Sequence, residues 1–351
     1  MDFKALLTQY ADFLEQLFSQ SKGKRVVGID IGSSSIKAVE IVAVKDKYEI
    51  QNWAIELIDG NETKAALQRL LARMNVKDQM PVAAVSGKGT LIRYVEMPRM
   101  PIEDLRKSFT YEIDKYFPFD PQTIYTDCFM VESSAKTNKV PVLLVAVKKE
   151  LVDAKLALFK EVGMELSVVT TNSIATANAF EKFVKVKEEG SAKAILDIGG
   201  AVSNLMILDK NHTPSFTRDL FVGSQEMTKQ VASKLGITSE AANELKLNPG
   251  DKIAEVLQAC EPSVQSLVAE IRLSLDYFKT EKNAAVTELF LVGGGSLLKG
   301  IDASFEKSLN IPVKVWDPLA NVALTSSVDA SAIRTHSSQL GVAIGLALTK
   351  I

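Results

Sequence analysis

The stretch Val26-Val27-Gly28-Ile29-Asp30-Ile31-Gly32-Ser33-Ser34-Ser35-Ile36-Lys37 returns in the second half of the chain as Ala194-Ile195-Leu196-Asp197-Ile198-Gly199-Gly200-Ala201-Val202-Ser203-Asn204. Each copy is an apolar strand, then Asp-Ile-Gly, then small residues, then an alternating strand. A strand that ends this way must turn tightly, and glycine lets the backbone turn and approach a ligand closely. Successive backbone N–H groups at such a turn form an anion-binding concavity. The hydroxyls of Ser33, Ser34 and Ser35 add donors, and Lys37 offsets phosphate charge or stands solvated on its strand. A carboxylate at the strand end, Asp30 or Asp197, suits Mg²⁺, which takes one or two carboxylates alongside phosphate oxygens. One such hairpin alone reads as a tight β-turn. Two of them predict a duplicated fold whose lobes each present the same phosphate-cradling hairpin.

Working outward, Leu289-Phe290-Leu291-Val292-Gly293-Gly294-Gly295-Ser296 runs a buried strand into three glycines before a helix start. Backbone without side chains there allows a flat nucleoside to lie against Gly293, Gly294 and Gly295, and a helix N-terminus favours negative charge. The three elements in this order predict nucleotide binding, with Mg²⁺ beside the phosphates. No Gly-Lys-Ser/Thr phosphate loop occurs, so the chain is not a P-loop NTPase.

The segment 84–167 has a different character. It reads as strand, Pro-punctuated turn, helix over 103–117, strands and a second helix, a compact α+β insertion. Residues 182–189 form a charge run, and His212 sits in a polar turn. Cys260 falls before Pro262 in what reads as a linker. Residues 1–22 carry Phe3, Leu6, Leu7, Tyr10, Leu14 and Leu17 at helical spacing, an amphipathic helix packed on the body, on another copy or on a membrane.

Composition narrows the classes. The chain of 351 residues is long enough for about two domains. Its 41 Lys+Arg against 43 Asp+Glu argue against a polybasic nucleic-acid binder. Two cysteines and two histidines exclude a disulfide framework and a Cys/His zinc centre. No apolar run is long enough to span a membrane, and the N-terminus lacks a signal-peptide pattern. The expectation is a soluble cytoplasmic protein.

At this point the ordered set resembles the actin/Hsp70/sugar-kinase superfamily. Residues 26–37 and 194–204 are similar to its two phosphate motifs, 289–301 to its adenosine motif, and 170–180 and 338–348 to its connecting helices. The fold class implied is α/β: an actin-like ATPase fold, two duplicated lobes around a nucleotide cleft with an inserted α+β 1C-like subdomain. Within the superfamily, Met97-Pro98, Glu112 and Phe117-Pro118-Phe119 of the insertion resemble the PilM family of type IV pilus assembly proteins.

That resemblance implies ATP binding and docking of the cytoplasmic N-terminal tail of a PilN-like inner-membrane protein, in a groove near Ile92, Val95 and Phe109. The chain would then lie at the inner face of the inner membrane through its partner, with self-association into a ring or filament as a further expectation. The resemblance also implies catalytic positions at Asp30, Asp197 and Asn172. It implies nucleotide contacts at Gly32, Gly199, Gly200, Ser203, Gly223, Asn243 and Lys246. Asn172 and Asn243 stand where relatives often carry acids. Asn orients water but is no base, so the implied activity is a slow ATPase at most. The alternatives are an FtsA-like membrane-tethered filament protein and a small-molecule kinase. The implied organisation is an N-terminal helix at 1–23, lobe one at 24–83, the insertion at 84–167 and a connecting helix at 168–192. Lobe two follows at 193–215 and 288–325 around a subdomain at 216–287, and a closing lobe-one helix spans 326–351.

Overall fold

The computed structural model describes residues 24–349 apart from 45–46, 61, 77–78, 132–137, 185–189 and 212. The amphipathic helix expected at 1–23, His212 and most of the 182–189 charge run lie outside the described residues.

Strands β1 (Lys24–Ile31), β2 (Ser35–Val44) and β3 (Lys47–Leu57) form an antiparallel meander, and helix α1 (Thr63–Met74) returns the chain to β4 (Met80–Val85), parallel to β1. The chain then leaves into β5 (Thr90–Pro98), α2 (Ile102–Tyr111), α3 (Ile113–Tyr116), β6 (Ile124–Met130), β7 (Lys139–Lys148) and α4 (Lys149–Glu161). It comes back as β8 (Val168–Thr171), parallel to β4, and α5 (Asn172–Phe183) crosses to the second half. There β9 (Ala192–Ile198), β10 (Ser203–Leu208) and β11 (Pro214–Leu220) repeat the meander. Helices α6 (Ser224–Leu235), α7 (Ser239–Leu247) and α8 (Ile253–Lys282) follow, then β12 (Val286–Val292), α9 (Ile301–Leu309) and β13 (Val313–Val315). Strand β14 (Ala323–Leu324) joins the first sheet, and α10 (Ala330–Thr335) and α11 (Gly341–Leu348) close the chain.

The sheet orders are β14-β3-β2-β1-β4-β8 and β11-β10-β9-β12-β13. Leaving out β14, the two orders are the same walk. The sequence repeat is therefore a repeat of topology. Every residue of β9 and β10 is buried, as in sheets with helices on both faces. Ala194, Leu196 and Ile198 face the core under α6 and α8, while Ile195 joins the core under α5 and α11.

Helices α5 and α11 pack against β1 and each other at glycine-enabled distances. A Cβ on Gly345 would lie 1.7 Å from the carbonyl oxygen of Ala175, and one on Gly28 would lie 2.0 Å from that of Ala343. These contacts fix how closely α5, α11 and β1 approach one another.

The segment between β4 and β8 has its own sheet, β5-β7-β6. One face packs on α2 and α3 through Leu105, Phe109, Ile113 and Phe117. The other places Ile92, Val145 and Val147 against Val85, Val169 and Ile174 of the first lobe. The helix expected over 103–117 breaks at Glu112. Helix α4 follows β7 in sequence but buries Phe159 in the first lobe's core.

One expectation is corrected. Cys260 is not in a linker: α8 runs unbroken through Pro262, and Cys260 is buried in it. The buried stripe Val256, Ala259, Cys260, Val264, Leu267, Val268 and Ile271 continues across the proline. Each large apolar residue buried contributes about 1.5–3 kcal/mol, which together outweigh the roughly 3 kcal/mol cost of an interior proline. Among the described residues no helix is long and apolar enough to cross a membrane.

Candidate functional site

The first hairpin is closed by the Gly32 N–H donating to the Ser35 carbonyl at 3.0 Å, with Ser33 and Ser34 exposed at its tip. Asp30 and Lys37 are cross-strand partners, and Lys37 Nζ lies 3.2 Å from Asp30 Oδ2. A Cβ on Gly32 would come within 3.0 Å of that ammonium, so glycine leaves the lysine room over the turn.

The second hairpin is held by the start of α6. The Gly199 and Gly200 carbonyls accept from Ser224 and Gln225 N–H groups at 2.9 Å. Gly223, before that helix, permits the approach, since a Cβ there would lie 2.3 Å from the Gly200 oxygen. Ser203 Oγ donates to the Val222 carbonyl at 2.6 Å, so this hydroxyl ties the hairpin to the link between β11 and α6.

The glycine run after β12 folds over the same strand end. Gly293, at φ +86°, would place a Cβ 2.1 Å from Asp197 Oδ1, and Gly295 would place one 2.2 Å from Ile198 Cγ2. Gly294 faces open space. The Gly293 N–H donates to the Ser338 carbonyl at 2.7 Å, tying the run to the turn before α11.

The two hairpins meet. A Cβ on Gly200 would lie 2.3 Å from Ser33 Oγ and 3.2 Å from Ser34 Oγ. The electrostatics follow from that meeting. Burial, reinforced by the nearby Asp30 charge and opposed by Lys37, pushes the Asp197 carboxyl up to about 7. No donor among the described residues hydrogen-bonds the Asp197 carboxylate. A buried carboxylate without donors, beside a second acid, is chemically suited to a cation. Lys155 of α4 also feels Asp30, which works against the lowering of its pKa by burial. Sequence reading missed Lys155 because nothing distinguishes it from the other lysines of α4. Only the tertiary path of that helix brings it to the first hairpin.

Other expected residues stand elsewhere. Asn172 opens α5 and lines a cavity of about 300 Å³ between the lobes, with Gly87, Lys88, Ile92, Arg218, Asp219 and Phe221. Lys246 is buried and donates to the Ser224 carbonyl at 3.0 Å and Thr228 Oγ1 at 2.8 Å, so its ammonium is committed to α6. Burial lowers its pKa to about 8. Asn243 is exposed on α7. Among the groove residues, Ile92 lines the cavity and Val95 is partly buried against the insertion's core. Phe109 is corrected: it is 2% exposed, its ring 6.0 Å from that of Phe117. A side chain so enclosed belongs to the core and leaves no face for a docked peptide.

Two duplicated lobes, an Asp-Gly hairpin from each and a glycine run folded over the second define the chain as a protein of the actin-like ATPase fold. A structure described as the PilM-PilN type IV pilus biogenesis complex superposes with TM-score 0.80 at 22% identity, covering 92% of this chain and 97% of that one. Ethanolamine utilization protein EutJ from Carboxydothermus hydrogenoformans shares the fold at TM-score 0.55 and 14% identity, covering 92% of this chain and 89% of that one. Residues 28–351 match the family model described as type IV pilus assembly protein PilM, and the chain belongs to that family.

Proposed function

We propose that this protein is a nucleotide-binding scaffold of type IV pilus assembly. It holds ATP between its lobes and docks the N-terminal tail of a PilN-like membrane protein at the foot of its insertion. The observation that carries the nucleotide reading is the contact of the two hairpin tips at Gly200 and Ser33. Backbone N–H groups of the two turns and the hydroxyls of Ser33 and Ser34 at the first suit phosphate oxygens, and Lys37 and Lys155 offset their charge. Gly294, with open space above it, suits the flat nucleoside. Asp30 and Asp197 would hold Mg²⁺ directly or through water, and the ion supplies charge neutralisation of the phosphates.

Two things support the docking half. A similar structure is described as a PilM-PilN complex, and a cavity walled by Ile92 and the 86–89 loop opens where the insertion meets the lobes. Family membership favours this reading over the tether and kinase alternatives. Through such a partner the chain would work in the cytoplasm at the inner membrane. Calorimetric titration with ATP in Mg²⁺ tests the nucleotide half. Saturable binding that Asp30→Ala abolishes is expected, and unchanged affinity in that variant contradicts the site.

A further inference from the structure

One carboxylate joins the second phosphate hairpin to the loop at the foot of the insertion. Asp219 on β11 accepts from the backbone N–H of Gly87, in the first lobe, at 2.8 Å, and from Asn204 Nδ2 at 2.5 Å. Asn204 is the cross-strand partner of Asp219 on one side and of Asp197 on the other. Directly paired residues project on the same sheet face. Asp197, Asn204 and Asp219 therefore form one row running from the hairpin to the lobe boundary.

At that boundary Gly87 is buried at φ +90° and its carbonyl accepts from Thr90 N–H at 3.0 Å, a turn that favours glycine. Beside it, Lys88 Nζ stands 5.4 Å from the centre of the Phe221 ring, a second contact between lobes. Both contacts wall the cavity that contains Ile92. The two hydrogen bonds favour the charged form of Asp219 and oppose the effect of its burial.

We propose that Asp219 couples the hairpin site to the docking cavity: a ligand drawn onto Asp197 and the 199–203 turn moves the strand of Asn204, and Asp219 passes that movement to the Gly87 loop. The proposal rests on the nucleotide reading above and adds a route by which nucleotide regulates the cavity. Neither Asp219 nor Asn204 needs to touch the nucleotide for this.

Hydrogen–deuterium exchange of the full chain tests it, with Mg²⁺·ATP as the probe ligand. In the wild type, saturating ATP changes exchange across residues 85–91. Asp219→Ala speeds exchange there by roughly tenfold or more without ATP, since a hydrogen bond to a charged group is lost. The variant also erases the ATP effect, while calorimetry still shows saturable ATP binding, because Asp219 does not itself contact the nucleotide. Should Asp219→Ala fail to fold, Asp219→Asn keeps the shape and one acceptor, and a reduced ATP effect is expected. An undiminished ATP effect in the variant overturns the proposal. A wild-type loop indifferent to bound ATP also overturns it and leaves the functional reading standing. A folded wild type that binds no ATP overturns both.

Discussion

Gly200 and Ser33 touch across the lobe boundary: any Cβ on Gly200 would sit 2.3 Å from the Ser33 hydroxyl oxygen. Two strand-turn-strand units far apart in sequence thus present their tips to one space. Gly200→Val fills that space with a branched side chain. ATP affinity should fall by roughly tenfold or more, as for a group that blocks close backbone approach. The melting temperature should change little, because the Ser33 and Ser34 hydroxyls are exposed and free to turn away. Calorimetry beside a thermal melt reads both; wild-type affinity in a folded variant contradicts the geometry.

Asp197 predicts a pH signature. Burial pushes its carboxyl up to about 7 in the folded chain, against 3.8 as the ordinary value. Between those values the folded protein keeps a proton that the unfolded chain has released, so its stability contribution is lost as pH rises through that window. Asp197→Asn removes this loss. The variant should melt close to the wild type near pH 4 and above it near pH 8, in buffer without divalent cations. A melting difference that stays flat across this range argues against the assigned environment. Cation-dependent ATP affinity should rise from pH 6 to 8, since the proton must leave before a cation is held.

The duplicated hairpins were legible because Asp-Ile-Gly after an apolar strand is a local pattern, and repetition needs no knowledge of tertiary structure. The prolines and shorter elements of 84–167 marked a segment of different character, but nothing local showed that α4 buries Phe159 in the first lobe's core. The course of α8 was not, because Pro262 is a local stop signal and only burial of the stripe around it overrides that signal. The Asp219–Gly87 bond joins positions 132 residues apart, neither in a distinctive pattern. Lys246 shows the same limit: spacing puts it on a helix but does not say which neighbour its ammonium will choose.

That choice is testable. With Lys246 committed to Ser224 and Thr228, Lys246→Met removes a buried charge while keeping the length of the stem. ATP affinity should stay within about threefold, the scale of an indirect effect. A loss of roughly tenfold or more would return Lys246 to the nucleotide contacts that the family resemblance implied.

The crossing of α5 and α11 has no room for a methyl group. A Cβ on Gly345 would lie 1.7 Å from the Ala175 oxygen, which is backbone and has nowhere to rotate. Gly345→Ala should cost about 1–3 kcal/mol or more through overpacking, seen as a lower urea midpoint. An unchanged midpoint would contradict the packing of the two helices.

As a scaffold, the protein should dock a membrane protein's tail under the control of a nucleotide. Fluorescence anisotropy reads this docking, with a labelled peptide of the cytoplasmic N-terminus of a PilN-like protein titrated with the full chain, with and without Mg²⁺·ATP. Saturable micromolar binding whose affinity changes when ATP is present is the expected result. No binding in either state, by a folded protein shown to be ATP-loaded, would contradict it.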